Sequence, residues 1–343
     1  MGSSTEFLNA SDAASRLGVS AKALRLYEQR GLIVPVRTAA GWRTYGPEQM
    51  ARAGEIVAMR ALGLSLAQVQ RVLAGDPRGL EASLAAHQGV LEGRLQQLAG
   101  MLDRVRQLRE SLSRGEVPGT GALAELLGAE APISLSFELP WPWGGETFEL
   151  RQIKPLSYII GPLGSGKTRL AQKLAEALPG ALFLGLDRLV DGVAAEARMD
   201  ADAALRERVE RTLGWLIEDG ASASDALTAL VAGLEAAWPT VLVIDMLEQG
   251  LEQSSQEAVV AHLRHRGPGA RPVFAMTRSN AVLDLAAVGP DEAIILCPAN
   301  HSPPTLVAPY PGATGYEAVA TCLATPEVRA RTEGIIATRP QVA

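Results

Sequence analysis

Tyr158-Ile159-Ile160-Gly161-Pro162-Leu163-Gly164-Ser165-Gly166-Lys167-Thr168-Arg169-Leu170 is the stretch from which the rest of this 343-residue chain is read. An apolar run short enough for a buried strand enters a glycine-rich turn ending in Gly-Lys-Thr, and Leu170, Leu174 and Leu178 then recur at helical spacing. Strand, glycine turn and helix in that order make a P-loop. Glycines at 161, 164 and 166 let successive backbone N–H groups turn inward as a nest, and the helix start points its positive end at the same spot. Lys167 then reaches the outer phosphates and the Thr168 hydroxyl holds Mg²⁺. The expected nucleotide-binding residues are Gly161, Pro162, Leu163, Gly164, Ser165, Gly166, Lys167, Thr168 and Arg169, with ATP or another nucleoside triphosphate and Mg²⁺ as cofactors. The plainer alternative is a glycine turn that binds nothing.

The chain is long enough for two or three domains, and 47% hydrophobic residues supply real cores. Its net charge of −6 argues against a nucleic-acid partner only on average. Residues 1–115 carry 15 Lys and Arg against 10 Asp and Glu, whereas the remainder carries 17 against 28. A basic first third on an acidic remainder suggests a nucleic-acid-binding module joined to a different kind of domain. Two cysteines, Cys297 and Cys322, are too few for a disulfide framework or a metal cluster and read as free core thiols. Met1 to Ser20 lacks the apolar segment of a signal peptide, and no apolar run reaches the ~18–20 residues of a membrane span. A cytoplasmic protein with no membrane partner is expected.

In residues 1–79, Leu8, Ala13, Ala14 and Leu17 repeat at helical spacing, with Ser11 and Asp12 suited to a cap and Gly18 to a stop. Ser20 caps a second short helix, Ala21 to Arg30, closed by Gly31. Two short helices about a tight turn read as helix-turn-helix, the second being the recognition helix with Ser20, Lys22 and Arg25 reaching bases or phosphates. Leu32 to Arg37 and Gly41 to Tyr45 follow as a hairpin wing, where Arg37, Trp42, Arg43 and Tyr45 suit sugar–phosphate contacts.

The string Leu24-Arg25-Leu26-Tyr27-Glu28-Gln29-Arg30-Gly31-Leu32-Ile33-Val34-Pro35, then Arg37 and Gly41-Trp42-Arg43-Thr44-Tyr45, resembles the winged helix-turn-helix of the MerR family of transcriptional regulators. Met59 to Val69 resembles that family's second helix pair, so the likeness covers residues 6–75; Leu26 and Trp42 stand where the family usually has Tyr. The resemblance implies contacts to a double-stranded DNA operator or promoter from Lys22, Arg25, Tyr27, Arg37, Arg43 and Tyr45, and RNA polymerase as a partner there. The plainer reading packs Tyr27 and Trp42 into the small core and leaves the arginines solvated.

Leu84, Leu91, Leu98, Val105 and Leu112 recur every seven residues, with Leu95 and Leu102 between them. This is a coiled-coil seam over residues 80–114, about 50 Å long at 1.5 Å per residue. The seam must be covered, either by a second copy or by the chain's own C-terminal domain. The resemblance implies the first, an antiparallel homodimer. Family members that sense metals carry cysteines at the ends of this helix; residues 76–130 contain none, so metal and redox sensing by that route is not expected. Residues 115–132 read as a linker.

Residues 133–343 form the second module. Ile133–Phe137 and Thr147–Leu150 are candidate strands, and Trp141-Pro142-Trp143 between them offers an aromatic for stacking on adenine. Ala181–Leu186 is a buried strand ending at Asp187-Arg188, and a long helical stretch is expected over residues 193–218. Thr240–Asp245 is an apolar strand ending in an acid, a Walker B candidate whose Asp245 holds Mg²⁺ beside Thr168. Strands alternating with helices give a multidomain chain: a winged helix-turn-helix, a long coiled-coil helix and an α/β P-loop NTPase domain with a mostly parallel sheet. The ligand belongs at the strands' carboxyl ends.

Val243 to Glu252 is similar to the Walker B and D-loop run of ABC and SMC-type ATPases; Ala221 to Leu227 sits where their signature motif falls, and Val273 to Arg278 where the strand to their switch histidine falls. In that alignment Met246 takes the place of the water-activating glutamate, Arg278 that of the histidine, and Ala223 and Ser224 replace the signature glycines. Methionine neither orients nor deprotonates water, so weak or absent hydrolysis is expected, with Glu248 the one residue near enough to substitute. The leading reading is a dimeric regulator with a nucleotide effector. Its rivals are a DNA-associated ATPase, a P-loop small-molecule kinase using Asp187-Arg188 and tethered to DNA, and a P-loop kept as a structural relic. His262, His265 and His301 show no partner in sequence and read as solvated, and the proline-rich tail carries no motif beyond a helical Tyr316–Leu323.

Overall fold

The computed structural model describes residues 7–77, 80–115, 135–189, 192–266 and 270–323. Helices α1 (Ala10–Leu17), α2 (Ala21–Gln29), α3 (Pro47–Ala61) and α4 (Leu66–Leu73) gather around a three-stranded antiparallel sheet of β1 (Leu8–Asn9), β3 (Arg43–Tyr45) and β2 (Val36–Arg37). The hairpin pairs Val36 with Thr44 and Arg37 with Arg43. Leu8 does not begin the first helix but pairs with Tyr45. The α1 cap is Asn9, whose side chain accepts from Ser11 N and Asp12 N. Gly18 at φ 68° closes α1 and Ser20 caps α2 through Ala23 N, as the residue types require.

Helix α5 spans Leu80–Ser113. The seam residues Leu84, Leu91, Leu95, Leu98, Leu102 and Leu112 are exposed on it, so the chain's own second module does not cover them. Residues 116–132 of the expected linker lie outside the described residues, as do Ile133, Ser134 and the tail after Leu323.

The second module opens on an antiparallel pair, β4 (Leu135–Glu138) and β5 (Thr147–Leu150). Its main sheet has the order β11-β10-β6-β9-β8-β7, from β6 (Leu156–Ile160), β7 (Ala181–Leu184), β8 (Val241–Ile244), β9 (Val273–Met276), β10 (Glu292–Leu296) and β11 (Thr305–Leu306). All neighbours are parallel except β11 with β10. Strand alternation sorts the core. Ile159, Val243, Phe274 and Ile295 meet Leu170, Ala171 and Leu174 of α6 (Lys167–Ala177) on one face. Tyr158, Ile160, Leu242, Ile244 and Ile294 meet the helices of the other face.

Those helices are α7 (Gly192–Ala201), α8 (Ala203–Glu218), α9 (Asp225–Glu235) and α10 (Gln253–His265); α11 (Tyr316–Cys322) ends the described chain. The single helix expected over residues 193–218 is broken at Asp202, whose backbone is extended and whose carboxylate accepts from Leu205 N at 3.0 Å. Asp is a better cap than helix interior, which is why the break falls there. Among the described residues no helix is long and apolar enough to cross a membrane.

Leu174 is fully buried beneath the sheet. Leu174→Ala is expected to destabilise the second module by ~2–5 kcal/mol, measured by urea unfolding followed by circular dichroism.

Candidate nucleotide site and nucleic-acid interface

Both faces of β6 are covered, and the loop after it carries the left-handed glycines Gly164 (φ 78°) and Gly166 (φ 89°). A Cβ on Gly161 would run into the Cys297 carbonyl oxygen, and one on Gly166 would lie 2.6 Å from Trp143 Cη2. Glycine is therefore required by close approach at the first position and by both approach and φ at the third. Trp143 is buried and donates through Nε1 to Ser302 O at 3.1 Å, while a His301 ring nitrogen lies 3.0 Å from Gly164 O. The loop is thus braced from two segments distant in sequence. Trp141, 77% exposed, is the aromatic left available for stacking; Trp143 serves packing.

Lys167 is buried at the head of α6 and donates to Gly161 O at 2.8 Å and Pro162 O at 2.7 Å. Burial pushes its pKa down, with the neighbouring Arg278 adding to the effect. Ser165 Oγ is buried without a hydrogen-bond partner. Asp245 ends β8, separated from β6 by β9, yet it feels the Lys167 charge. Burial holds its carboxyl above the ordinary carboxylate range against the opposing pull of Arg188 and Lys167. Thr168 stands exposed in the first turn of α6. A nest kept open by glycines, a buried hydroxyl without a partner and a desolvated lysine fit a triphosphate, and the Thr168 hydroxyl and Asp245 carboxylate are oxygen donors of the kind a hard cation such as Mg²⁺ accepts.

The residues around Asp245 are tightly committed. Arg188 is buried and donates to Gly185 O and Asp245 O at 2.8 and 2.7 Å, and to Met246 O at 2.8 Å. It braces the end of β8 and does not present itself to a substrate. Met246 has φ 43°, a left-handed conformation costly for a side-chain-bearing residue. Glu248 is buried and accepts from Arg278 N at 3.0 Å. It holds the turn after β9. Arg278 Nε is itself buried without a partner.

The expected DNA-contacting residues divide. Tyr27 and Tyr45 are buried in the head's core among Leu24, Leu32, Ile56 and Leu64, a correction with a plain cause: helix α2 and strand β3 turn these rings inward, onto the other apolar side chains of the head. Tyr45 donates its hydroxyl to Glu28, which also takes Arg43 at 2.9 Å, so this trio ties the wing to α2. Ser20 is buried and spends its oxygen on the α2 cap. Lys22 pairs with Glu257 of α10 at 2.9 Å. Arg25, Arg37 and Trp42 are exposed, Trp42 at 75%.

The histidines are not simply solvated. His262 lies 3.7 Å from Glu235 and its ring packs on Trp215; His265 packs against Gly63; His301 touches the P-loop. Strand β10, which lies directly beside β6, and the Trp143–Ser302 brace had no local motif to announce them. The Glu292–Leu296 run in front of Cys297 was the only available signal.

Comparison with known proteins gives two matches in line with these two modules. The family described as MerR HTH family regulatory protein matches residues 8–76, and an AAA domain matches residues 156–267. A probable heavy metal-dependent transcriptional regulator of Haemophilus influenzae is 33% identical over 118 residues, which are 32% of this chain and 92% of that protein. The HTH-type transcriptional regulator CueR of Vibrio cholerae is 30% identical over 108 residues, 31% of this chain and 76% of its own. Among solved structures, HiNmlR, a MerR family regulator lacking the sensor domain and bound to promoter DNA, shares 22% identity over 33% of this chain and 93% of that one, with a TM-score of 0.25. The ADP conformation of MJ1267, an ATP-binding cassette of an ABC transporter, shares 14% identity over 59% of this chain and all of its own, with a TM-score of 0.36.

A raised carboxyl pKa means the folded chain binds the Asp245 proton more tightly than the unfolded one, so this residue contributes stability at low pH that is lost as pH rises through its folded pKa. Asp245→Asn is expected to raise the melting temperature without nucleotide by on the order of a few degrees at pH 8, and by less at pH 4. The same variant should lose the extra stabilisation that Mg²⁺ adds to ATP, read by thermal shift.

Proposed function

The chain belongs to the MerR family of helix-turn-helix regulatory proteins, and on that premise we propose that it is a dimeric DNA-binding transcriptional regulator whose P-loop module takes Mg²⁺–ATP as an effector. The observation that supports this reading is a phosphate nest complete in its glycines, lysine and threonine, joined to a site where Met246 stands in place of a water-activating acid. Binding residues are kept and cleaving residues are not. The nucleotide is held by Gly161–Thr168 with Arg169 behind them, and Mg²⁺ by Thr168 and Asp245. Bound nucleotide supplies negative charge at the outer phosphates, which the Lys167 ammonium meets and to which the nearby Arg278 charge adds. Glu248 is a poor substitute base, because it is buried and one of its carboxylate oxygens accepts from the Arg278 backbone.

The division is 1–79 for the DNA-binding head, 80–114 for the dimerisation helix, 115–132 for the linker and 133–343 for the nucleotide module. In the head, Arg25 on α2 and Arg37 and Trp42 on the wing meet the duplex, with Arg43 and Lys22 beside them. The exposed leucines of α5 call for a second copy, since a seam of six open leucines on one helix is covered at least cost by its own likeness. RNA polymerase at the promoter is the further partner that family membership suggests.

Two outcomes follow. In gel-shift assays Mg²⁺–ATP should change wild-type operator binding and leave Lys167→Ala unaffected, while phosphate release stays below about 1 s⁻¹ with or without DNA; an equal response in both proteins removes the effector role. Leu95→Lys with Leu98→Lys should halve the mass seen by light scattering.

A further inference from the structure

The helix-turn-helix head is docked on the nucleotide module through a polar face centred on Asp219 and reaching Lys22 of the recognition helix. Asp219, 6% exposed, lies one residue past the end of α8 and takes its partners from the head. Arg60 donates to it from both terminal guanidinium nitrogens and Leu66 N donates to it at 2.8 Å, so a carboxylate of one module completes the N-terminus of α4 in the other. Trp215 donates to Gly63 O at 3.1 Å and carries the Arg60 guanidinium over its ring at 5.7 Å. At the far edge Lys22 Nζ pairs with Glu257 and reaches Asn280 O at 3.5 Å.

Building on the DNA and nucleotide roles proposed above, we infer that this docked face is an autoinhibitory latch: Glu257 and the Asn280 carbonyl hold the N-terminal end of the recognition helix, and DNA binding and docking exclude one another. Lys22 has one ammonium group, and a phosphate and Glu257 compete for it. A cavity of about 590 Å³ lies at the same junction, lined by Lys22, Leu26 and Val57 on one side and Glu257, Ala261 and His265 on the other. A junction so incompletely filled parts without breaking either core.

The latch adjoins the nucleotide site by a short route. Arg278 faces Lys167 closely enough for its charge to be felt there. Two residues later, Asn280 O meets Lys22. Between them Ser279 Oγ donates to Gln256 Oε1 at 2.6 Å, and Gln256 precedes Glu257 on α10. An outer phosphate that attracts the half-buried Arg278 acts on the segment that carries one Lys22 partner and is hydrogen-bonded beside the other. The docked and free heads are the two states, nucleotide and DNA both favour the free one, and each must then strengthen the other's binding by the same factor. A head docked nine-tenths of the time weakens DNA binding by about tenfold.

The test uses the full chain and a fluorescent duplex selected from a random pool by the wild type with Mg²⁺–ATP. Asp219→Asn and Glu257→Lys break the latch at separate points, and neither residue belongs to the DNA or nucleotide site. Without nucleotide, each is expected to bind the duplex about tenfold tighter than wild type by anisotropy, with faster amide hydrogen exchange over residues 60–66. Faster exchange with no gain in affinity in either variant, or exchange over 60–66 already at the unprotected rate in the wild type, overturns the latch. Tighter binding by both variants while ATP changes nothing in the wild type keeps the latch and removes the effector reading instead.

Discussion

Strand β6 is buried on both faces and paired on both edges, so its chain leaves only from the carboxyl end, into a space already bounded by Cys297 on one side and Trp143 on the other. Side chains do not fit at Gly161 and Gly166. At those two points the loop must be bare backbone, and bare backbone presents N–H groups. The phosphate nest is in this sense a result of how the sheet is covered. The same coverage forces Lys167 and Asp245 into a desolvated crevice, where burial opposes both charges. Each charge is costly alone and useful toward a ligand of the right sign.

Around this crevice the polar groups are used for rigidity more than for chemistry. Arg188 spends its two terminal nitrogens on backbone carbonyls at the ends of β7 and β8, and Glu248 holds the backbone after β9. The left-handed turn at Met246 persists because Arg188 pins the carbonyl groups on either side of it. What the crevice can transmit is therefore displacement of a braced segment. Helix α10 and the turn after β9 share the Gln256–Ser279 hydrogen bond, and both lead outward to the head.

Much of this was legible in the residues. Glycines at fixed offsets, apolar runs of strand length and a seven-residue leucine repeat are local signals, and they located the P-loop, β8, α5 and the two helices of the head. The misreadings share one cause. Whether Tyr27 and Tyr45 face DNA or the core is decided by which helices and strands pack on them, and Leu8 pairs with Tyr45 from a distant point in the sequence. Strand β10 and the Trp143–Ser302 brace are likewise contacts between segments far apart in the chain. Local pattern was also silent on Asp219, which reads as an ordinary acid at a helix end until Arg60 and Leu66 are brought to it.

The placement of the tryptophans has an optical consequence. Trp143 lies against the P-loop, Trp215 lies under Arg60 with its indole N–H on Gly63, and Trp42 stands open at the wing tip. A dry indole emits toward the blue and a wet one toward the red, and a cation held over the ring changes its brightness. The chain thus carries native fluorophores at its nucleotide loop, its interdomain junction and its wing, and once the exposed Trp141 and Trp238 are replaced its own emission reports on these three places without a label.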